Sequence, residues 1–409
     1  MKIMGIEKQT SMDDFYPLVN LSDLPKLAFS FKHELIASLS NQKSSLPCIL
    51  NPIHKLVPEA GVGITIAVGG TNGYVSTFRV SKNGVVKFLN RSLFSLPAIM
   101  TKKELFHLIT KNILSLTEIN NKPYPIGIGF AYPLKPLLFN GFIDGELMYM
   151  TKGRNITDLI CQRVGQEFHR FLIDEYGIDT TVAVANDAIC LLLGGNGTEL
   201  AGVVGTGLNF AYWEKRSNIA PLKLGDLPGF GQNEVAVNIE AKNFNKIPRT
   251  KLREIIDKKS DDPGFSLAEK EAAGAYLYQI FNAGKDKIIG EKFPELFSTD
   301  QLNDIITGAF HFPKQVTEKE KESAFLFTER IFHRSAQIVA IELCGILMKL
   351  GKTQGLVPVV MEGGIFWKAK NYPALVNLYV NMILPEVIPS FARLFGSSRR
   401  GIAILALGH

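Results

Sequence analysis

The segment Val184-Ala-Asn-Asp187 ends an apolar, β-branched run in an amide and a carboxylate. A strand that closes on Asn-Asp and passes into a helix presents its carboxylate where open sheets collect ligands, and a carboxylate there takes a proton from a substrate hydroxyl. An Asp at the same place also serves as an N-cap, accepting helix N–H bonds and contributing about 1 kcal/mol. Position alone favours the cap for Asp187. A second kind of chemistry is offered by two turns. Gly69-Gly-Thr-Asn-Gly73 and Gly205-Thr-Gly207 each separate two runs of strand character. Backbone N–H groups in such turns converge without side-chain obstruction, which suits phosphate. A tight hairpin also takes Gly for its dihedrals alone. One such turn favours the hairpin explanation; two in similar frames favour the phosphate cradle. Neither fits the Walker pattern, which needs Lys and then Ser/Thr after its glycines.

Three other polar residues have equally ordinary explanations. Ser266-Leu-Ala-Glu269 has the spacing of a capping box, so Glu269 has a structural use at a helix start. Val237-Asn-Ile-Glu240 alternates polar with apolar residues, a pattern compatible with Glu240 on a solvated strand face. Lys152, in Thr151-Lys-Gly153, reads as a surface turn lysine. None of these is functional when taken alone.

The elements that position these residues follow from periodicity. Residues 20–40 form an amphipathic helix, with Leu24, Leu27, Phe31, Leu35 and Ile36 on one face. Pro47, Pro52 and Pro58 then make an extended connector. Strands at 62–68, 74–80 and 85–89 form an antiparallel meander through the first glycine turn. Thr101-Lys-Lys-Glu104 starts a helix with a capping box. Strands follow at 124–131 and 181–185, then a short apolar helix after Asp187. Strands at 200–204 and 208–213 flank the second glycine turn. Helices are expected at 266–283, 317–350, 373–382 and 385–395, interrupted by a strand at 357–361 and by Glu362-Gly-Gly364. Two strand–turn–strand units in an α/β chain suggest a duplicated core.

The bulk numbers narrow the class. The chain has 409 residues, 46% of them hydrophobic, a length that implies more than one lobe. Its net charge of +6 is scattered, and the densest basic pair, Arg399-Arg400, is too short for a nucleic-acid patch. Cys48, Cys161, Cys190 and Cys344 are widely separated, which suits a reducing compartment. The N-terminal residues lack the continuous apolar run of a signal peptide, and no apolar stretch is expected to reach the length of a membrane span. The expected address is cytoplasmic.

Taken in order, these motifs resemble the hexokinase family, within the larger group of actin-like sugar kinases. The resemblance runs from about Leu21 to Gly408. Gly127-Ile-Gly-Phe-Ala-Tyr-Pro133 is similar to the family segment ending in Phe-Pro or Tyr-Pro. Thr151-Lys-Gly153 matches its Thr-Lys-Gly, and Val184-Ala-Asn-Asp187 the strand that ends in Asn-Asp. Gly205-Thr-Gly-Leu-Asn209 matches the second phosphate turn, Asn238-Ile-Glu240 the Asn-x-Glu, and Leu267-Ala-Glu-Lys270 with Gly274, Tyr276 and Leu277 a helix carrying another Glu. Glu362-Gly-Gly364 resembles a nucleotide segment, and Gly396-Ser-Ser-Arg-Arg-Gly401 the entry to the last helix.

What the resemblance implies is an α/β, two-lobed, actin-like (ribonuclease H-like) duplicated fold with an interlobe cleft. It implies a small α/β domain at 60–186 with 398–409, and a large one at 15–59 and 187–397. It implies transfer of the ATP γ-phosphoryl group to the 6-hydroxyl of a hexose, glucose first, with Asp187 and Lys152 catalytic. Thr151, Lys152, Asn186, Asp187, Asn209, Glu240 and Glu269 would hold the sugar. Gly69, Gly70, Thr71, Asn72, Gly205, Thr206, Gly207, Gly363 and Gly364 would meet the nucleotide. ATP and Mg²⁺ are the implied cofactors, with no protein metal ligand. The implied state is a monomer or homodimer, with no nucleic-acid or membrane partner. The chain departs from the pattern at three positions: Ala67 stands where the family has an Asp that steadies magnesium through water, Tyr74 where it has Arg, and Ala131 where it often has Ser. Those departures leave a second reading open, a sugar-binding relative with weak or no turnover.

Overall fold

The computed structural model describes residues 12–53, 59–116, 123–150, 155–225, 227, 233–393 and 396–408. Gly61–Val68 (β1), Asn72–Val80 (β2) and Val86–Ser95 (β3) pair antiparallel, as their alternation and intervening turns predict. Ile126–Phe130 (β4) joins β1 in parallel, and Val182–Asn186 (β5) joins β4 in parallel, giving the order β3-β2-β1-β4-β5. β4 and β5 are buried along their whole length, which is why they read as continuous apolar runs.

The second sheet repeats this order. Leu200–Val204 (β6), Leu208–Lys215 (β7), Glu234–Asn238 (β8), Gly355–Glu362 (β9) and Val387–Ala392 (β10) run β8-β7-β6-β9-β10, with the short strand Ile49–Asn51 outside β8. Counted from its own first strand, each sheet runs third, second, first, fourth, fifth. The two glycine turns occupy the same place in each, between first and second strands. The duplicated core expected from the sequence is therefore present.

Contacts divide the chain into two units. A sheet unit holds Cys48–Gly202, Phe210–Glu240 and the residues from Ala392 onward; a helical unit holds the residues up to Pro47, Val203–Asn209 and Ala241–Phe391. The core of the sheet unit packs Ile64, Ile66, Ile128, Phe130, Val184 and Phe168. On the other face of that sheet, the helix Ser397–Leu407 covers Phe78 and Val80 with Ala403 and Ala406.

The helical unit is built around Glu318–Lys349, which starts with a capping box of Thr317 and Glu320. Leu24–Leu39 crosses it closely: a Cβ on Gly345 would lie 2.8 Å from the Ala28 carbonyl oxygen. By length and composition this central helix is apolar enough to span a membrane, contrary to expectation, but 89% of its most apolar window is buried inside the protein. It is a core helix. Its Arg334 is wholly buried, binding the Glu271 carboxylate at 2.9 and 3.2 Å and the carbonyls of Pro17 and Pro248. Arg253 and Thr250 complete the coordination of Glu271, so the buried charge is fully hydrogen-bonded.

Two expected helices are corrected. Residues 385–395 contain a strand, β10, in which Val387 and Pro389 are buried while Ile388 and Ser390 are exposed, a period of two. The helix expected at 266–283 breaks into Glu269–Ala272 and Leu277–Ile288. Between them, the Gly274 and Ala275 N–H groups donate to the carbonyls of Gly205 and Thr206, at 2.7 and 3.2 Å, in place of helical bonds. A further hairpin, Leu134–Phe139 with Phe142–Leu147, turns on Asn140-Gly141, both at positive φ; this Asn-Gly signal is present in the sequence but did not enter the reading.

Candidate active site

In the sheet unit, strand register assembles one group of candidate residues. Val68 pairs with Phe130, and Phe130 with Asn186, so β1, β4 and β5 end in one row. The next residues are Gly69, Ala131 and Asp187. Two strand spacings separate the outer members, which puts Asp187 about 10 Å from the first glycine turn. Tyr132 ties the row together: its hydroxyl donates to the Gly69 carbonyl at 3.4 Å, and its own carbonyl accepts from the Asn186 amide at 3.3 Å.

The capping question resolves at this row. Asn186 is the N-cap of the helix Asp187–Gly194, with its Oδ1 accepting from the Ala188 N–H at 3.0 Å. Asp187 is the first helical residue and is half-buried; one oxygen also accepts from Ala188 N–H, at 2.8 Å. A carboxylate in the first turn is favoured by the helix dipole. The helix packs beside β8, whose Asn238 amide donates to Glu240 at 2.9 Å. Glu240 is 3% exposed and has φ +56°, the left-handed region that non-glycine residues rarely occupy. It is therefore not on a solvated strand face. Backbone strain held at a buried carboxylate is a recurrent mark of functional positions.

The first glycine turn itself is open. Gly69 N–H donates to the Asn72 carbonyl at 3.0 Å, and Leu96 N–H to that of Thr71 at 2.9 Å; Thr71 and Asn72 are exposed. Gly69 does not sit in the left-handed region. What requires glycine is space, since a Cβ would lie 2.7 Å from the Asn72 oxygen.

In the helical unit, the second turn is enclosed by backbone. Gly205 receives the Gly274 N–H, and a Cβ on Gly205 would meet Gly363 Cα at 3.1 Å. Gly363 has φ +117°, and its Cβ would fall 2.1 Å from the Val204 oxygen. Gly364, by contrast, has nothing within 4 Å of where a Cβ would sit. The structure thus brings Gly205, Thr206, Gly207, Gly363 and Gly364 into one cluster. Glu269 joins it: its Oε1 accepts from the Leu208 N–H at 3.0 Å. No capping box forms at Ser266, because the N-cap is Ala268 and makes no side-chain bond. Asn209, one residue further on, accepts from the Ala241 N–H at 3.3 Å.

Behind Glu269 lies a residue that the sequence reading missed. Glu342, in the central helix, is wholly buried with neither carboxylate oxygen hydrogen-bonded. Burial first, and then the charge of Glu269, push its pKa well above the usual carboxylate range. Burial, followed by Glu269, also raises the Tyr276 phenol. In the sheet unit, Asp144 was missed too. It is buried and accepts from the N–H groups of Gly145, Gly165 and Gln166, anchoring the start of Val164–Tyr176. Thr151, Lys152 and Gly153 lie outside the described residues.

The donor set bears on the two implied groups. In the sheet unit the open first turn, and in the helical unit Gly364, each leave backbone accessible to a phosphate group. Among the described residues no group of three His, Cys, Asp or Glu side chains could hold a metal ion, and Ala67 supplies no oxygen. A magnesium ion that keeps its waters and binds through substrate oxygens fits such a site.

Comparison with known proteins gives one answer. Two family models, both described as Hexokinase, match residues 17–196 and residues 199–283 with 291–407. Hexokinase-2 of Solanum tuberosum is 27% identical over 94% of this chain and 87% of that protein. Hexokinase-1 of Schizosaccharomyces pombe is 28% identical over 73% of this chain and 69% of its own. Among solved structures, the Schistosoma mansoni hexokinase complexed with glucose superposes with a TM-score of 0.83, at 20% identity, covering 98% of both chains. The α/β fold is that of the two-lobed, actin-like sugar kinases, and the chain belongs to the hexokinase family.

Proposed function

We propose that this protein is an ATP-dependent hexokinase that phosphorylates the 6-hydroxyl of a hexose, glucose first. The observation that carries the reading is the row at the ends of β1, β4 and β5, where Asp187 lies about 10 Å from the first glycine turn and shares the capping of its helix with Asn186. Asp187 accepts the proton of the sugar hydroxyl as that oxygen bonds to the γ-phosphorus. The bond from phosphorus to the bridging oxygen breaks, and its electron pair leaves with ADP. Such transfer depends on positioning and charge stabilisation more than on covalent chemistry. Magnesium, when bound, neutralises phosphate charge. Asn186, Asn209, Glu240 and Glu269, with Thr151 and Lys152, hold the remaining hydroxyls and the ring oxygen. Buried amides and carboxylates reject a misplaced hydroxyl because a polar group is then left unpaired.

Ala67 and Tyr74 favour a second reading, a sugar-binding protein without useful turnover. One experiment separates the two. Coupled ADP production and calorimetric glucose titration are run on the wild type and on Asp187→Ala. The kinase reading expects measurable wild-type turnover, a loss of about 10²- to 10⁴-fold in the variant, and nearly unchanged glucose affinity. Full turnover in Asp187→Ala refutes the base assignment, and glucose binding without wild-type turnover selects the second reading.

A further inference from the structure

Position 74 carries Tyr where the resemblance calls for a cation, and the structure brings two cations to it. The Arg91 guanidinium lies 5.0 Å from the centre of the Tyr74 ring, and the Arg399 guanidinium 5.7 Å from the same centre. Arg399 also lies 4.8 Å from the centre of the Phe88 ring. These residues come from three places in the sequence: β2, β3 and the first turn of the helix Ser397–Leu407.

Register shows where the pair sits. Ala67 is opposite Tyr74, Ser76 opposite Arg91, and Asn72 opposite Ser95. Opposed residues, and residues two apart on a strand, share a face. Ala67, Asn72, Tyr74 and Arg91 are therefore on one face, and Tyr74 is about 7 Å along β2 from the turn residue Asn72. A single arginine on an aromatic ring is an ordinary surface contact. Two on one ring stand no more than about 11 Å apart, a span that a polyphosphate can bridge with charge-assisted hydrogen bonds to both. Arg91 is exposed and makes no ion pair with any described residue.

We propose that Arg91 and Arg399, assembled on the Tyr74 ring, bind the phosphate groups of the nucleotide beside the first glycine turn, replacing the arginine missing at position 74. The inference rests on the kinase reading and names the residues of its anionic co-substrate site. It makes the departure at Tyr74 a relocation of charge from β2 to the neighbouring strand and to the last helix.

The test is calorimetric titration of ADP with magnesium, at saturating glucose, on the wild type, Arg91→Gln, Arg399→Gln and the double variant. Charge-assisted contacts of this kind imply a loss of ADP affinity of about tenfold or more in the double variant. Its glucose affinity, titrated separately, should not move. The salt dependence of ADP binding should flatten as the charges go. Adding Tyr74→Arg to the double variant should recover part of the loss, a rescue that a purely structural role would not give. Unchanged ADP affinity in Arg91→Gln overturns the proposal. Arg91 is exposed on an edge strand, so Arg91→Gln decides the matter even if Arg399→Gln fails to fold. If the wild type phosphorylates glucose and both single variants bind ADP equally well, only this inference fails. If the wild type binds glucose but no ADP, the kinase reading falls with it.

Discussion

The two glycine turns sit at the same place in a repeated strand order, yet their surroundings differ. The second turn is locked by backbone: Gly274 and Ala275 donate into it, Gly363 packs on it, and the buried Glu269 accepts the N–H that follows it. The first is held by a few bonds, with Thr71 and Asn72 exposed. Close backbone contact leaves no room for a side chain, so the second turn has little freedom to change. The first has its own close backbone contact at Gly69, but Thr71 and Asn72 are exposed, and the departures at Ala67 and Tyr74 are in the strands that flank it. Equivalent position in a duplicated fold does not impose equivalent constraint; packing density does.

The sharpest way to break this contrast is to change one side chain on each side. Gly363→Ala places a Cβ 2.1 Å from a backbone oxygen at φ +117°, and both must be relieved by moving β6 or β9. The expected loss exceeds about 4 kcal/mol, in the range where a specific backbone or packing defect is diagnostic. Thr71→Ala, on the exposed turn, should stay within about 0.5 kcal/mol. Urea unfolding of the two variants is the measurement. A loss of under 1 kcal/mol for Gly363→Ala would show that the second turn is no more constrained than the first.

The contrast also explains what the sequence could and could not convey. Both turns, the row of strands that leads to Asp187, and the capping box at Thr101 rest on local spacing, and all were readable. The contact made by Glu269 was not. Ser266 and Glu269 have the spacing of a capping box, but the chain instead carries Glu269 to Leu208, a contact across 61 positions. The break at Gly274 has the same origin, because its N–H bonds outside its own helix. Residues 385–395 misread as helix because apolar residues close together satisfy either period over so short a span. Arg91 gave no signal, and Arg399 gave none that joined it to Tyr74, since only the folded sheet brings them to one ring.

A smaller effect probes the buried side of the second turn. Glu342 is unpaired and wholly buried, and burial, with Glu269 adding to it, raises its folded pKa well above the model-peptide 4.5. In the folded chain the carboxyl keeps its proton, while in the unfolded chain it ionises above about pH 4.5. A raised folded pKa contributes stability that is fully present below the unfolded value and lost as pH rises towards the folded one. Glu342→Met, which removes the unpaired oxygens at similar volume, should therefore stabilise the protein by about 1–3 kcal/mol at neutral pH and by less at pH 5. Equal gains at pH 5 and pH 7.5 would mean that Glu342 is ionised in the folded chain.

The smallest expected effect returns to the first turn. Ala67→Asp restores the carboxylate that the family places opposite position 74, and with it a route to water-mediated magnesium binding. Here, however, the new carboxylate would share a face with Arg91 and Arg399. Part of its charge would be taken up by guanidinium rather than metal, in a partly exposed setting where ion pairs contribute about 0.2–1 kcal/mol. The apparent magnesium requirement for turnover should fall by no more than about fivefold. Combined with Arg91→Gln, the same substitution should act more strongly, because one competing cation is gone. Titrating magnesium against turnover in the two backgrounds decides between these accounts. An equal shift in both would mean that the arginines do not compete, and that the first turn is a weakened copy of the family's site rather than one with relocated charge.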